Sequence, residues 1–162
     1  MSSLRLDLDE LEHGWLTFTL RGDDTTWSVG ASSVFDTLTE LAGAALELAE
    51  ARPVRDVILF EEPVANVLTF EPRGSDIALT VTRYHQESRR VGGEVQFAES
   101  FPREVVIRAA WAGLRRLDGA MGPEAIERAW GRPFPAREVE QLGAYVRRSA
   151  GMSRDASRTR SA

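Results

Sequence analysis

Two adjacent carboxylates are the residues of this sequence best suited to acid–base or metal chemistry. Glu61 and Glu62 precede Pro63 at the end of a strand-like run, where they could bind a cation or act as acid and base. Neighbouring strand residues point to opposite faces of a sheet, so the two side chains converge only if the backbone bulges. His85 could join Glu62 or Glu87 as a ligand, but the two histidines of the chain lack the spacing of a metal motif. We therefore expect neither a metal site nor catalytic residues.

Nucleophilic chemistry is not indicated by the residue types either. Ser28 lies in the run Trp27-Ser28-Val29-Gly30, which lacks the first glycine of the Gly-x-Ser-x-Gly turn that exposes a nucleophilic serine. Ser33 has the position of a helix-capping residue. The chain contains no cysteine and all 20 basic residues are arginine, which excludes thiolate and Schiff-base chemistry. The sequence predicts a protein that is not an enzyme and has no cofactor.

Aromatic residues offer a second kind of candidate surface. Trp15 and Trp27 lie in two alternating runs on either side of the turn-forming stretch Arg21-Gly22-Asp23-Asp24, and this pattern predicts a β-hairpin. If the two indoles stand opposite each other on that hairpin, they could form an exposed aromatic patch of the kind found at protein interfaces. The candidate partner-binding residues are Trp15, Trp27, Glu61, Glu62 and His85.

The elements that would position these residues indicate an α+β fold. Alternating apolar residues predict strands, and apolar residues at three- and four-residue spacing predict helices. Strands are predicted over 15–20, 25–29, 54–60, 66–70, 77–84 and 94–98, and Leu4, Leu6 and Leu8 could add an edge strand. Helices are predicted over 33–51, from Pro102 to Gly119 or Gly122, over 123–130 and from Pro135. We predict an antiparallel sheet of five to six strands with the long first helix packed on it, followed by C-terminal helices.

The length fits one domain with one core. The chain has 162 residues, of which 43% are hydrophobic, and this is enough to fill a single interior. Residues 1–149 are predicted to form a single α+β domain. Residues 150–162 contain Arg154, Arg158 and Arg160 and almost nothing to bury, so we expect a disordered Arg/Ser tail there.

The charge distribution bears on partners and location. The formal net charge is −5, and an acidic body disfavours binding to nucleic acid. The first apolar residues are interrupted by charged ones, and no stretch approaches the ~20 apolar residues of a membrane helix. We therefore expect a cytoplasmic protein that binds neither nucleic acid nor a membrane.

The stretch from Trp27 to Tyr84 resembles a group of small, uncharacterised, mainly actinobacterial proteins. The resemblance rests on a Ser-x-x-x-Asp helix start, Ser32 to Asp36 followed by Thr37-Leu38-Thr39-Glu40-Leu41, and on a strand that ends in Glu-Pro, Val57 to Pro63. It covers about a third of the chain. Some proteins of this group are suspected to be immunity partners of bacterial toxins, so the resemblance implies an interaction role.

Three functions remain open at this point. The first is a non-catalytic protein-interaction domain, of immunity type, with a protein partner or as a homodimer. The alternative is a small-molecule-binding or enzymatic domain that uses Glu61, Glu62 and His85 around a cavity at the sheet end. The third is a structural role in a larger assembly.

Overall fold

The computed structural model describes residues 2–161, in which seven strands and four helices follow one another. In chain order they are β1 (Arg5–Glu12), β2 (Trp15–Arg21), β3 (Thr26–Ser32), α1 (Thr37–Ala49), β4 (Val57–Phe60), β5 (Ala65–Arg73), β6 (Asp76–Tyr84), β7 (Glu94–Pro102), α2 (Arg103–Met121), α3 (Pro123–Trp130) and α4 (Ala136–Arg160). The α+β class predicted from the sequence is confirmed.

The strands form two antiparallel sheets, so the prediction of one sheet with five to six strands is wrong. Sheet 1 has the order β1-β2-β3 and sheet 2 the order β4-β5-β6-β7. Between them, β3 and β4 lie close together without a hydrogen-bonded ladder. The structure has seven strands because the possible edge strand also forms, as β1, with Leu6 and Leu8 facing the core. Helix α1 connects β3 to β4, so the two strands are not joined as a hairpin.

The free edge of β1 is covered by helix α2. The Cβ that Gly113 lacks would stand 2.7 Å from the carbonyl oxygen of Leu6, so only glycine lets α2 approach the strand this closely. Arg116 donates a hydrogen bond of 2.7 Å to that same carbonyl. These contacts occupy an edge that would otherwise be open to pairing with another strand.

A buried carboxylate holds three arginines beside this edge. Asp7 accepts hydrogen bonds from Nε of Arg5 at 2.8 Å and Nε of Arg21 at 3.0 Å, and Nη2 of Arg116 lies 3.6 Å away. Burial alone would raise the pKa of Asp7, but the hydrogen bonds from Arg21 and Arg5 and the charge of Arg116 outweigh burial and hold that pKa below its usual range. Asp7 therefore ties β1 and β2 to α2.

The turn between β2 and β3 is fixed by a residue of the other sheet. Oε1 of Glu99, on β7, accepts hydrogen bonds from the backbone N–H groups of Asp23 at 2.9 Å and Asp24 at 3.1 Å, and its Oε2 accepts one from Thr25 at 3.1 Å. A Cβ on Gly22 would lie 2.1 Å from Oε2. Glycine is therefore required for the carboxylate to reach the turn.

Helix α1 begins four residues later than the capping pattern predicts. Asp36 is the N-cap, and its Oδ1 accepts the N–H of Thr39 at 3.4 Å, whereas the N–H of Ser33 donates to the carbonyl of Gly14. The helix buries one broad face, formed by Leu38, Leu41, Ala42, Ala45 and Leu48. Residues 33–36 thus form a connection rather than a helical turn, which leaves Val34 exposed and Phe35 partly exposed.

Helix α4 continues through the segment that the sequence predicts to be disordered. Its last buried residue is Val146, and every side chain from Gly151 to Ser161 is exposed. The structure thus has helix to Arg160 in a stretch for which the sequence predicts disorder, while residue 162 of that stretch lies outside the described residues. Once the packed turns are formed, each further residue adds one backbone hydrogen bond, and Ser157 and Thr159 hydroxyls bond carbonyls one turn back. Across residues 2–161, no helix combines the length and apolarity needed to span a membrane.

Candidate functional site

Three connections meet at one end of the molecule, where β3 and β4 approach each other. They are residues 33–36 between β3 and α1, residues 61–64 between β4 and β5, and residues 131–135 between α3 and α4. Their contacts, described below, bring together a surface formed by Trp15, Val34, Phe35, Phe60, Glu62 and Pro63. We call this set of residues the junction surface.

A serine and a glutamate join two of these connections. The Oγ of Ser32 donates a hydrogen bond of 2.7 Å to Oε1 of Glu62 and accepts one from the N–H of Val34 at 3.3 Å. Ser32 is buried, whereas Glu62 is exposed. The backbone of Glu62 has a φ of 56°, in the left-handed region that non-glycine residues rarely occupy. An exposed carboxylate is therefore held in one place by a buried hydroxyl.

The neighbouring carboxylate is bound to different partners. Glu61 Oε1 accepts a hydrogen bond of 2.7 Å from Nδ2 of Asn66 and pairs with Nη1 of Arg83. Asn66 is fully buried, and its Nδ2 also donates to the carbonyl of Leu59. Glu61 and Glu62 thus serve separate contacts and do not form an acid–base pair.

His85 lies just beyond this region. It is exposed and follows Tyr84, which pairs with Ala65 at the start of β5. The backbone N–H of Glu87 then donates to the carbonyl of Pro63 at 3.3 Å, so the loop after β6 contacts the 61–64 turn. Within residues 2–161, no three His, Cys, Asp or Glu side chains are grouped as metal ligands.

The two candidate tryptophans do not face each other. Trp15 pairs with Ser32 at one end of the β2–β3 ladder, whereas Trp27 pairs with Leu20 near the turn at the other end. Trp27 shares the inner face with Leu20 and packs against the core. Trp15 is 40% exposed on the outer face, and its Cε3 lies 4.0 Å from the Cβ position of Gly30. The two indoles therefore do not form one patch, and only Trp15 belongs to the junction surface.

Three apolar side chains, Val34, Phe35 and Phe60, complete this surface. Val34 is 54% exposed. The rings of Phe35 and Phe60 meet edge to face, with centroids 5.3 Å apart and planes at 74°, a favourable arrangement for aromatic pairs. A helix over 33–51, as the sequence predicts, would instead include Val34 and Phe35 in its first turn. The carboxylate of Asp36, a strong N-cap type, was the signal that could have placed them outside the helix.

The third connection clamps the first one. Arg132 donates from Nε to the carbonyl of Ser33 at 2.8 Å and from Nη2 to the carbonyl of Val34 at 2.9 Å. Nε1 of Trp130 donates to Oδ1 of Asp36 at 3.2 Å. These contacts cross almost a hundred residues of sequence, so no local pattern could have revealed them.

A carboxylate with a perturbed pKa lies behind the junction surface. Oε1 of Glu40, in the first turn of α1, accepts the N–H of Ile58 at 3.3 Å. Burial raises its pKa to about 7, and the negative charge of Asp36 adds to the increase, while the Ile58 N–H and the positive charges of Arg55 and Arg132 oppose it. Glu40 thus changes its charge near neutral pH at the point where α1 meets β4.

The junction surface combines a half-exposed indole, an exposed aliphatic side chain and a fixed carboxylate. This combination suits binding of a polypeptide with an apolar contact and a positive charge. The chain matches no protein-family model, no curated protein and no solved structure.

Proposed function

We propose that this chain is a non-catalytic protein-interaction domain, of immunity type, that binds a protein partner through the junction surface. The observation that carries the proposal is that Trp15 and Val34, both exposed, each contact Ser32 through strand pairing or a hydrogen bond, and that the Ser32 hydroxyl binds the carboxylate of Glu62. Tryptophan is enriched among the residues that dominate binding energy at interfaces. Exposed apolar side chains together with a fixed charge provide both contact area and orientation.

The surface is held in place before any partner arrives. Ser32 fixes Glu62, and Arg132 fixes the carbonyls of Ser33 and Val34. A surface ordered in advance loses less conformational entropy on association, which favours affinity. These contacts support a binding role for the connection between β3 and α1. Without them, this connection would be free to adopt several conformations.

The charge of the chain favours a basic partner. The net charge is −5, and the exposed carboxylate of the junction surface has the same sign as this net charge. Opposite charge on the partner accelerates the encounter and makes association sensitive to salt. We therefore propose a partner that presents arginine or lysine next to an apolar side chain.

A second candidate is a small-molecule-binding or enzymatic role at the end of sheet 2. One observation favours it: Oδ1 of Asn66 is buried beside Glu61 and accepts no hydrogen bond from residues 2–161, and a buried acceptor generally has a donor. A thermal-shift screen with small polar metabolites tests this role. A ligand whose stabilisation is lost in Asn66→Ala would favour it over protein binding.

Affinity capture with matched variants tests the first proposal. The wild-type chain, Val34→Asp and the control Val95→Asp, which alters another exposed valine on β7, are each immobilised and exposed to native lysate. We expect a protein retained by the wild type and the control and lost with Val34→Asp. Binding of that purified protein should weaken by at least about tenfold, or 1.4 kcal/mol, in Trp15→Ala. Capture of the same proteins by all three, or of none by the wild type, contradicts the proposal.

The immunity role has its own measurement. Expression of the captured partner should arrest growth, and co-expression of the wild-type chain should restore it. Val34→Asp should fail to restore growth at an equal level of protein. If the partner is harmless when expressed alone, the immunity function is contradicted and the interaction role alone is kept.

A further inference from the structure

The second half of helix α4 is a charged projection. We call residues 147–160 the basic arm. It has five arginines and one aspartate, a net charge of +4, so the rest of the chain carries −9. The arginines are Arg147, Arg148, Arg154, Arg158 and Arg160. None of them takes part in an ion pair among residues 2–161.

The basic arm is a weak helix when nothing covers it. It is polar on all sides, and Gly151 with several serine and threonine residues lowers its helix propensity. The hydroxyls of Ser157 and Thr159 bond the carbonyls of the same helix, at 3.0 and 2.8 Å. The arm therefore presents mainly guanidinium groups, and a surface of opposite charge would stabilise it.

A surface of opposite charge lies at the far end of the molecule. The end of β1 contributes Asp9, Glu10 and Glu12, and α3, which packs against β1 and β2, contributes Glu124 and Glu127. All five are exposed, and none takes part in an ion pair among the described residues. We call residues 9–12 and 123–130 the acidic end. With Arg128 included, its net charge is −4.

The basic arm cannot reach the acidic end of its own chain. Ser153 lies beside Ser3 and Glu104, at the starts of β1 and α2, whereas the acidic end lies where β1 finishes and beyond the last turn of α2. Helix α4 begins near Asp118, so it runs antiparallel to α2 and points away. The 19 residues of α2 separate the two regions by about 28 Å, at 1.5 Å per residue.

We propose that the basic arm of one molecule binds the acidic end of a second copy of this chain. The acidic end of a second copy supplies exposed carboxylates, and its net charge of −4 matches the +4 of the basic arm. A nucleic acid is disfavoured because its phosphates would meet the −9 carried by the rest of the chain. The contact joins two different surfaces, so each molecule keeps one arm and one acidic end for further copies, and association leads to chains or closed rings.

Sedimentation velocity of the full chain provides the first test. At about 20 mM NaCl, where charges act over a long range, we expect the sedimentation coefficient to rise with protein concentration. At about 500 mM NaCl the chain should sediment as a monomer, because the interaction is screened. A monomer at low salt at a protein concentration of about 100 µM would show that any self-affinity is weaker than about 5 kcal/mol, and it would overturn the proposal.

Charge reversal provides the second test. Arg154→Glu with Arg158→Glu, and separately Glu124→Arg with Glu127→Arg, should each weaken self-association by at least about tenfold. A mixture of the two double variants should stop at a one-to-one complex, because only the unaltered arm of one variant and the unaltered acidic end of the other keep their net charges of +4 and −4. The control Glu71→Arg with Glu94→Arg makes the same change in net charge as Glu124→Arg with Glu127→Arg, but at exposed positions of sheet 2. Association that survives both reversals, or that the control also removes, contradicts the proposal.

A DNA duplex separates the remaining alternative. If a fluorescent duplex binds the wild-type chain at about 150 mM salt and Arg154→Glu with Arg158→Glu abolishes that binding while self-association is unchanged, the arm is a nucleic-acid contact and the proposal is wrong. All the altered positions are exposed, and far-ultraviolet circular dichroism confirms that each variant is folded.

Discussion

The buried hydroxyl of Ser32 donates a hydrogen bond of 2.7 Å to the exposed carboxylate of Glu62, 30 residues away in the sequence. It joins the last residue of β3 to the turn after β4, where the two sheets lie close without a shared ladder. The bond thus connects the sheets and positions the junction surface at the same time.

Removal of this hydroxyl should loosen the turn more than it destabilises the fold. Ser32→Ala is expected to lower the free energy of unfolding by about 1 kcal/mol, the typical contribution of one hydrogen bond. The amide of Glu61, which donates to Val64 within the turn, should exchange its hydrogen at least several-fold faster. Hydrogen exchange and urea denaturation measure both effects. Ser28→Ala, which removes a hydroxyl bonded to Thr19 on sheet 1, is the control. Equal exchange of the Glu61 amide in both variants would contradict the role of Ser32.

Glu99 should make a larger contribution to stability, because its carboxylate accepts three backbone N–H groups of the β2–β3 turn. We expect Glu99→Ala to lower the free energy of unfolding by about 2 to 3 kcal/mol, and Glu99→Gln by about 1 to 2 kcal/mol, since an amide keeps one acceptor oxygen. The same turn should become a site of limited proteolysis. Glu94→Gln on the same strand is the matched control, with a change within about 0.5 kcal/mol. Similar losses of unfolding free energy in Glu94→Gln and Glu99→Gln would mean that the turn contacts are unimportant.

The arginine contacts of Asp7 make its stabilising effect depend on pH. The pKa of Asp7 is lowered in the folded state, so its contribution is fully present above the unfolded pKa and is lost as the pH falls through the folded pKa. At neutral pH we expect Asp7→Asn to reduce the free energy of unfolding by about 2 kcal/mol, the scale of hydrogen bonds to a charged group. The difference from the wild type should shrink in acid. Urea denaturation at a series of pH values measures this difference. If it keeps its neutral-pH size at about pH 3 and below, the linkage is excluded.

Glu40 should show the opposite dependence. Its pKa is raised to about 7, so the stabilisation from its protonated form is fully present below the unfolded pKa and is lost as the pH rises through the folded value. Glu40→Gln should therefore gain stability relative to the wild type between about pH 5 and pH 8. We expect about 1 kcal/mol, because solvent at this half-buried carboxylate reduces the ~1.4 kcal/mol that each pKa unit represents.

Thr39→Val is a suitable control for this measurement, since it changes an adjacent residue of α1 without altering a charge. Its stability relative to the wild type should be independent of pH over the same range. If the wild type and Glu40→Gln lose stability in parallel, the titrating group lies elsewhere.

Local patterns predicted most of the elements but not their assembly. Leu16, Phe18 and Leu20 alternate with polar residues, and this pattern alone indicates a strand with one buried face. The division into two sheets depends on how β3 and β4 meet after α1, and no local signal encodes that meeting. The final helix was missed beyond Ala150 because exposed residues of low propensity give no amphipathic pattern, although the packed turns before them extend the helix.

The candidate surface was predicted in part. Trp15, Glu61, Glu62 and His85 belong to strands and turns that meet at one end of the molecule, but the sequence could not show that Glu61 and Glu62 have separate partners. Trp27 was misplaced because the register of the hairpin was unknown, and a shift of one residue moves a side chain to the other face. The clamp by Arg132 connects segments distant in the chain, which only the folded structure brings together.

Trp130 can serve as a built-in optical reporter of the junction. It is fully buried, and its indole N–H donates to Asp36 at the start of α1, so its fluorescence should be blue-shifted while α1 is docked. Undocking of that helix start would bring water to the indole and shift the emission to the red before the rest of the chain unfolds. A chain in which the other three tryptophans are replaced by phenylalanine would therefore show, in real time, whether a bound partner tightens or opens this end of the protein.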